Sequence, residues 1–194
     1  MEQKKISFKT TKPNSKKYNY QNHTWFLDDQ LNLDDVLSLP EFSKFKYCAS
    51  IVESTAASGF EIDVQEGFKN QGFVIYLVSM CGKVLKGGKS KNSLDLRSYA
   101  AGTEESWTMR GTPSVTNYVW SQIFRESFNS GCEVKFYGMV VPSVQMTYES
   151  FDGTLITESV SPYESEEKKL NALLNKLNGK KVIGEGKLLV PIKK

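Results

Sequence analysis

The chain has 194 residues, of which 39% are hydrophobic and 24% are charged, proportions that are ordinary for a single globular domain. Its formal net charge of +3 permits binding to nucleic acid without requiring it. No apolar run approaches the roughly 18 residues that a membrane-spanning helix needs, and residues 1–5 lack the apolar core of a signal peptide. We therefore expect a cytoplasmic protein that does not enter a membrane.

The cysteines and the single histidine limit the chemistry that the chain can perform. Cys48, Cys81 and Cys132 lack the spacing of a zinc finger or of a C-x-x-C redox site, and we expect them to be buried thiols in a reducing compartment. A lone histidine, His23, argues against a histidine-rich metal site and against a Ser-His-Asp triad. Any catalysis must therefore use tyrosine, lysine, arginine and carboxylate side chains.

The N-terminal third begins with a basic arm. Its first 22 residues carry six lysines, which is typical of a solvated, partly disordered arm and also of an arm that contacts a phosphate backbone. Asn32 is placed to cap a short helix that has acidic residues in its first turn. Pro40 opens a second predicted helix, whose apolar residues keep helical spacing up to Cys48. Residues 53–70 are predicted to be a connection.

Two apolar runs in the centre of the chain, residues 72–78 and 83–90, predict a β-hairpin. Residues 80–82 suit a three-residue turn, because glycine at its last position can adopt a positive φ. With that turn Tyr76 lies opposite Lys86, so that a phenol and an ammonium share one face of the sheet. A two-residue turn would shift the pairing by one residue and separate the two side chains.

Helices and a strand are predicted to follow the hairpin. Residues 90–99 suit a helix, and residues 100–113 suit a loop. An amphipathic pattern from Val115 to Phe128 predicts the main core helix. Residues 133–141 alternate as a third strand.

The remaining residues predict a second hairpin, a last helix and a tail. Residues 145–160 suit a hairpin that turns at Asp152-Gly153. Ser161 to Glu164 form a capping box that opens a helix with leucines at helical spacing, and the helix stops at Asn178-Gly179. The last fifteen residues are basic.

The predicted fold class is therefore α+β, with a small central antiparallel sheet of three strands flanked by helices. Residues 1–70 form the basic arm and a helical extension that we expect to contact DNA. Residues 71–179 form the core, into which the hairpin at 145–160 is inserted, and residues 180–194 form a basic tail.

The order of these motifs resembles that of the GIY-YIG nucleases. Val74-Ile75-Tyr76 and, ten residues later, Lys86-Gly87-Gly88-Lys89-Ser90 are similar to the two half-motifs of that family. Arg97 lies eleven residues beyond the first of these lysines, where the family places its arginine on the first helix. The glutamates of the last helix and Asn178 resemble the metal-binding segment of the family. The resemblance covers residues 72 to about 178.

The sequence departs from the family pattern at three positions. Lys86 replaces the second motif tyrosine, as in some small restriction endonucleases of the family, and Gly87 stands at the middle position of that half-motif. The family's histidine or tyrosine, four residues past the arginine, falls on Ala101. Tyr99 is a nearby substitute.

The resemblance implies a site that hydrolyses a phosphodiester bond, and the residue types suit that chemistry. Tyr76 is expected to deprotonate the attacking water, since Lys86 and a divalent cation both lower the pKa of a phenol that otherwise ionises near about 10. Arg97 can hold two phosphate oxygens in its planar fork. A glutamate of the last helix would hold Mg²⁺, with Mn²⁺ as a substitute, against the scissile phosphate.

Three glutamates are candidates for the metal ligand. Glu164 belongs to the capping box and is expected to be engaged there. Glu167 precedes Leu170 by three residues, as in the family pattern, whereas Glu166 has the better distance to Asn178. We take Glu167 as the first candidate and Glu166 as the second.

The predicted function is a metal-dependent endonuclease for double-stranded DNA, most like the type II restriction endonucleases, which often act as homodimers. The N-terminal arm, residues 100–113 and the hairpin at 145–160 are candidate DNA-reading elements. Two other functions stay open. One is a non-catalytic basic nucleic-acid-binding module on the same scaffold, and the other is a structure-specific repair or phage nuclease.

Overall fold

The computed structural model describes residues 7–10, 20–21, 23–56, 59–92, 94, 115–179 and 190–191. The strands are β1 Ser7–Thr10, β2 Tyr20–Gln21, β3 His23–Phe26, β4 Lys46–Glu53, β5 Phe60–Val64, β6 Val74–Met80, β7 Lys83–Ser90, β8 Val134–Val140, β9 Val144–Glu149, β10 Leu155–Val160 and β11 Val190–Pro191. The α-helices are α1 Leu33–Leu37, α2 Val115–Ser130 and α3 Tyr163–Asn178, and single 3₁₀ turns lie at Leu27–Asp29, Pro40–Phe42 and Glu66–Phe68.

A five-stranded antiparallel sheet, in the order β5-β4-β8-β6-β7, organises the described residues. The three predicted strands are its β8, β6 and β7, and the prediction of only three strands was wrong. The predicted helix after Pro40 is a single 3₁₀ turn that leads into β4, and the predicted connection at 53–70 contains β5. Apolar runs this short fit a helix and a strand equally well. β4 pairs with β8, which is distant in sequence, and β5 pairs with β4, and this pairing makes both of them strands.

Helices cover both faces of the central strands. Tyr76 and Val78 of β6 pack with Trp120 and Phe124 of α2 on one face. Ile75, Leu77 and their neighbours pack with leucines of α3 and with α1 on the other face. Every residue of β6 is buried, because β6 lies between β7 and β8 in a sheet covered on both sides.

The N-terminal part is not a helical extension. β4 and β5 belong to the sheet, β1 pairs with β3, and β2 pairs with β11 from the C-terminal end of the chain. The short helix α1 is confirmed, and the Asn32 side chain accepts a hydrogen bond of 2.9 Å from the Asp34 amide as a cap. In the described residues no helix is long and apolar enough to cross a membrane.

The second hairpin and the last helix lie where the sequence predicts them. β9 and β10 join through a turn in which Gly153 has a φ of 81°. α3 ends at Gly179 in the left-handed conformation, with a φ of 66°. The prediction of a capping box, however, is wrong. The Ser161 hydroxyl donates to the Val141 carbonyl at 3.2 Å, and no side chain caps the first turn of α3. Glu164 therefore takes no part in capping.

Two of the three cysteines are paired, which the sequence reading did not anticipate. Cys81 in the β6–β7 turn and Cys132 before β8 form a disulfide across 51 residues. Only Cys48 is a buried thiol, and burial raises its pKa to about 12. Cys81 follows β6 and Cys132 precedes β8, and these two strands pair, so the bond joins them at one end of the central sheet.

Candidate active site at the edge of the sheet

The turn between β6 and β7 has two residues, and not the predicted three. Met80 pairs with Lys83, and both Cys81 and Gly82 have positive φ angles, of 48° and 71°. A β-bulge at Leu85 then shifts the register by one further residue, so that Val78 pairs with Lys86. Each shift alone would move Lys86 to the other face of the sheet, and the two together restore the predicted face.

Tyr76 therefore has Gly88 opposite it, and Lys86 is its diagonal neighbour on the same face. Diagonal neighbours lie roughly 7 Å apart, within reach of long side chains. The predicted direct pairing of Tyr76 with Lys86 is wrong, and only their common face of the sheet agrees with the prediction.

Glycines flank Tyr76 on both neighbouring strands, Gly88 on β7 and Gly138 on β8. A Cβ atom added to Gly88 would lie 2.8 Å from the tyrosine oxygen and 2.7 Å from two ring carbons. The phenol ring therefore lies directly over the Gly88 backbone and points its hydroxyl toward β7, the edge strand of the sheet. The Tyr76 side chain is 0% exposed.

The Lys86 ammonium lies over the indole ring of Trp120, 5.3 Å from the ring centroid. Trp120 is fully buried in α2, and its indole nitrogen has no hydrogen-bond partner among the described residues. Ring contacts from Trp120 through Phe124 and Phe136 lead back to Tyr76, with centroid distances of 5.6, 6.2 and 5.5 Å. One aromatic cluster therefore supports both the phenol and the ammonium.

The acidic residues of α3 lie against the opposite face of β7. Lys89 lies 3.2 Å from Glu167 and 3.4 Å from Glu164, and its ammonium is 5.8 Å from the ring centroid of Tyr163. Partial burial lowers the pKa of Lys89, but hydrogen bonds to Glu167 and Glu164 and their charges outweigh it, so the net pKa is raised. Lys89 thus holds a full positive charge against two carboxylates.

Glu166 does not contact Lys89 but lies on another side of α3. Its carboxylate pairs with Lys169 at 2.7 Å and lines a cavity of about 310 Å³ between α3 and the 3₁₀ turn at Pro40–Phe42. Of the two glutamates predicted as metal ligands, Glu167 is the one next to β7.

Asn171 is a further candidate site residue, which the sequence did not predict. It lies one turn beyond Glu167 on α3, is 8% exposed, and its amide oxygen has no partner among the described residues. A Cβ atom on Gly87 would meet this oxygen at 2.1 Å, so Gly87 is needed for the close approach of α3. Gly87 and Gly88 are thus strand backbone that admits Asn171 on one face and Tyr76 on the other.

The structure places the predicted residues as follows. Tyr76 and Lys86 share the α2 face, while Glu167 and Glu166 belong to α3 on the other face. Tyr76, Lys86 and Glu167 all lie next to β7, whose outer edge pairs with no described strand. Arg97, Tyr99 and Ala101 lie outside the described residues.

The chain shares its fold with two solved structures. One is restriction endonuclease HPY188I in complex with product DNA, matched with a TM-score of 0.53 and 25% identity over 81% of this chain and 87% of that chain. The other is a mutant of bacteriophage T4 EndoII, with a TM-score of 0.50 and 18% identity over 75% of this chain and 95% of that chain. No protein-family model and no curated protein matches the sequence. The shared fold relates this chain structurally to nucleases.

Proposed function

We propose that this chain is a cytoplasmic, divalent-metal-dependent DNA endonuclease of the GIY-YIG type, and that it acts as a site-specific type II restriction endonuclease. The observation that carries the proposal is the shared face of Tyr76 and Lys86, in a fold similar to that of a restriction endonuclease bound to product DNA. Double-stranded DNA is the proposed substrate.

Tyr76 acts in this proposal as the general base. Its phenolate takes a proton from water, and the positive charge of Lys86 on the same face favours the phenolate. The cation–π contact with Trp120 holds the Lys86 ammonium in place. Arg97 is proposed to bind the phosphate oxygens, as its place in the motif implies.

The residues present fit a divalent cation of the Mg²⁺ type. Glu167 offers a carboxylate, and the unpartnered amide oxygen of Asn171 lies one turn away on the same helix. Mg²⁺ usually keeps several waters and needs few protein ligands. A bound cation would neutralise charge on the scissile phosphate and the leaving oxygen. Lys89 holds Glu167 in this structure and would have to release it.

Cleavage of plasmid DNA with Mg²⁺ or Mn²⁺ tests the proposal. We expect discrete fragments from the wild-type protein, and Tyr76→Phe and Glu167→Ala should each lower the rate at least about 100-fold while DNA binding persists. Tyr137→Phe is the matched control, since it removes the same hydroxyl from the opposite face of the neighbouring strand β8. Glu166→Ala separates the two candidate glutamates.

The burial of Tyr76 favours a second candidate, a non-catalytic nucleic-acid-binding module on the same scaffold. A side chain that is 0% exposed reaches water only if neighbouring residues move, and the pairing of Glu167 with Lys89 leaves that carboxylate already neutralised. DNA binding by a folded protein without any cleavage, in either metal, would support the module and overturn the endonuclease. A smear of products or cleavage only at branched DNA would instead support a repair or phage nuclease.

A further inference from the structure

One side chain of β7, Lys89, is held between two glutamates of the last helix. Lys89 lies opposite Ile75 in the register of β6 and β7, and Ile75 packs in the core beneath α3, so Lys89 lies on the α3 face of the strand. Its ammonium is 3.2 Å from the Glu167 carboxylate and 3.4 Å from that of Glu164. Glu167, the proposed metal ligand, therefore already has a cationic partner that belongs to the chain itself.

The contact between α3 and β7 shows which groups compete for Glu167. Glu164, Glu167 and Asn171 are three and four residues apart, so they lie on one face of α3. That face meets Lys89 through the two glutamates and Gly87 through Asn171. Lys89 and Gly87 are two residues apart and share one face of β7. Any cation that binds Glu167 on this face must therefore compete with the Lys89 ammonium for the same carboxylate.

The two ion pairs of Lys89 differ in burial. The Glu167 side chain is 21% exposed and that of Lys89 is 33% exposed, whereas that of Glu164 is 61% exposed. A cation and a carboxylate that are largely out of water lose more when their pairing is broken than a pair at the surface does. The pair with Glu167 is therefore the stronger of the two, and the pair with Glu164 is the more easily rearranged.

The start of α3 can keep the ammonium when it leaves Glu167. Glu164 is already within ion-pair distance of Lys89, and the ring centroid of Tyr163 lies 5.8 Å from the same ammonium. Tyr163 and Glu164 are the first two residues of α3. Because the four-carbon stem of lysine is flexible, the ammonium can stay with them while Glu167 turns to another cation.

We propose that Lys89 regulates the metal site: its ammonium occupies Glu167 until a divalent cation displaces it, and Glu164 is the positioning residue that then holds it. The inference rests on the proposed function, in which Glu167 binds the metal, and adds a competitor that is part of the chain. Without metal, Lys89 neutralises two like charges that lie three residues apart on one helix and would otherwise destabilise it. With metal, both carboxylates still have a cationic partner.

Mn²⁺ binding without DNA, measured by isothermal titration calorimetry, tests the inference. Lys89→Met keeps most of the length of the side chain and removes its charge, so we expect the dissociation constant for Mn²⁺ to fall at least about tenfold. Lys169→Met is the matched control, because Lys169 pairs with Glu166 on another side of the same helix. It removes the same charge and should leave the dissociation constant unchanged. If the wild type binds too weakly to titrate, binding by Lys89→Met supports the inference and its absence contradicts it.

A double-mutant cycle tests the role of Glu164. Glu164→Gln should raise the Mn²⁺ dissociation constant about fivefold, since the displaced ammonium then has no second carboxylate. In the Lys89→Met background the same change should alter the constant less than about twofold. An equal effect in both backgrounds would mean that Glu164 attracts the metal directly, and its positioning role would be wrong.

Glu167→Gln separates failure of this inference from failure of the proposed function. If Glu167→Gln leaves Mn²⁺ binding unchanged, Glu167 is not the ligand, and the proposed metal site and the inference both fail. If it removes binding while Lys89→Met and Lys89→Gln, both folded by circular dichroism, bind as the wild type does, only the inference is overturned. Tighter binding in Lys169→Met and not in Lys89→Met would assign the metal to Glu166 and overturn it as well.

Discussion

Gly87 and Gly88 each leave one face of β7 without a side chain, and a polar side chain from elsewhere fills each gap. Asn171 of α3 approaches Gly87, and the Tyr76 ring lies over Gly88. Two consecutive glycines inside a strand weaken it, because they lose more backbone entropy on folding than other residues. Glycine is needed at both positions because a Cβ atom would clash with Asn171 at Gly87 and with Tyr76 at Gly88.

A methyl group at Gly88 should therefore displace Tyr76. In Gly88→Ala the new Cβ would lie 2.7 to 2.8 Å from three atoms of the phenol, and we expect a loss of about 1–3 kcal/mol in the free energy of unfolding. The displaced base should lower cleavage about 100-fold. Denaturant unfolding and plasmid cleavage measure the two effects.

Gly67→Ala is the control for this change, since no atom lies within 4 Å of the position of its Cβ. Equal stability and equal cleavage in the two variants would mean that Tyr76 adjusts freely, and its position over Gly88 would then carry no function.

Three residues of the candidate site could be predicted from the sequence. Tyr76, Lys86 and Glu167 come from the spacing of motif residues, which the sequence displays directly. Asn171 could not be found that way, because an asparagine within an amphipathic helix looks the same whether it faces solvent or a glycine. Its proximity to Gly87 exists only once α3 packs on β7.

At the scale of elements, the hairpin β6–β7 depends on two compensating irregularities, the Cys81-Gly82 turn and the bulge at Leu85. The turn is also tied by the disulfide from Cys81 to Cys132, which precedes β8. This bond restrains the end of the hairpin opposite to Gly88 and holds β6 against β8.

Removal of the disulfide should lower stability without changing the fold. Closing a loop of 51 residues restricts the unfolded chain, and we expect the reductant or the double variant Cys81→Ser/Cys132→Ser to lower the free energy of unfolding by about 2–4 kcal/mol. Thermal unfolding with and without reductant measures this. Reductant should not affect the double variant further, and a wild-type protein indifferent to reductant would mean that both cysteines are thiols, as the sequence reading expected.

At the scale of the whole molecule, the hairpin arm, formed by β9 and β10 (residues 144–160), pairs with no other described strand and is separable from the sheet that carries the candidate site. The residues on either side of it remain close, because the Ser161 hydroxyl donates to the Val141 carbonyl at 3.2 Å. The core below them is continuous through β8, β6 and α3.

Replacement of residues 144–160 by a short Gly-Ser linker should leave the rest of the protein folded. We expect the melting temperature to stay within about 4 °C of the wild type, since the arm contributes almost no buried side chain. Scanning calorimetry measures this, and a broad, non-cooperative transition would show that the arm belongs to the core.

The sequence by itself determined the parts of this protein that depend on local periodicity: β6, β7, β8, the hairpin arm, α2 and α3. Apolar spacing of two or of three to four residues identifies such elements wherever they lie in the fold. Tertiary structure alone decided that residues 46–53 and 60–64 are strands, that Cys81 pairs with Cys132, and that the bulge at Leu85 returns Lys86 to the face of Tyr76. Each of these depends on contacts between distant residues or on the register between strands. The local spacing of apolar residues contains no information about either.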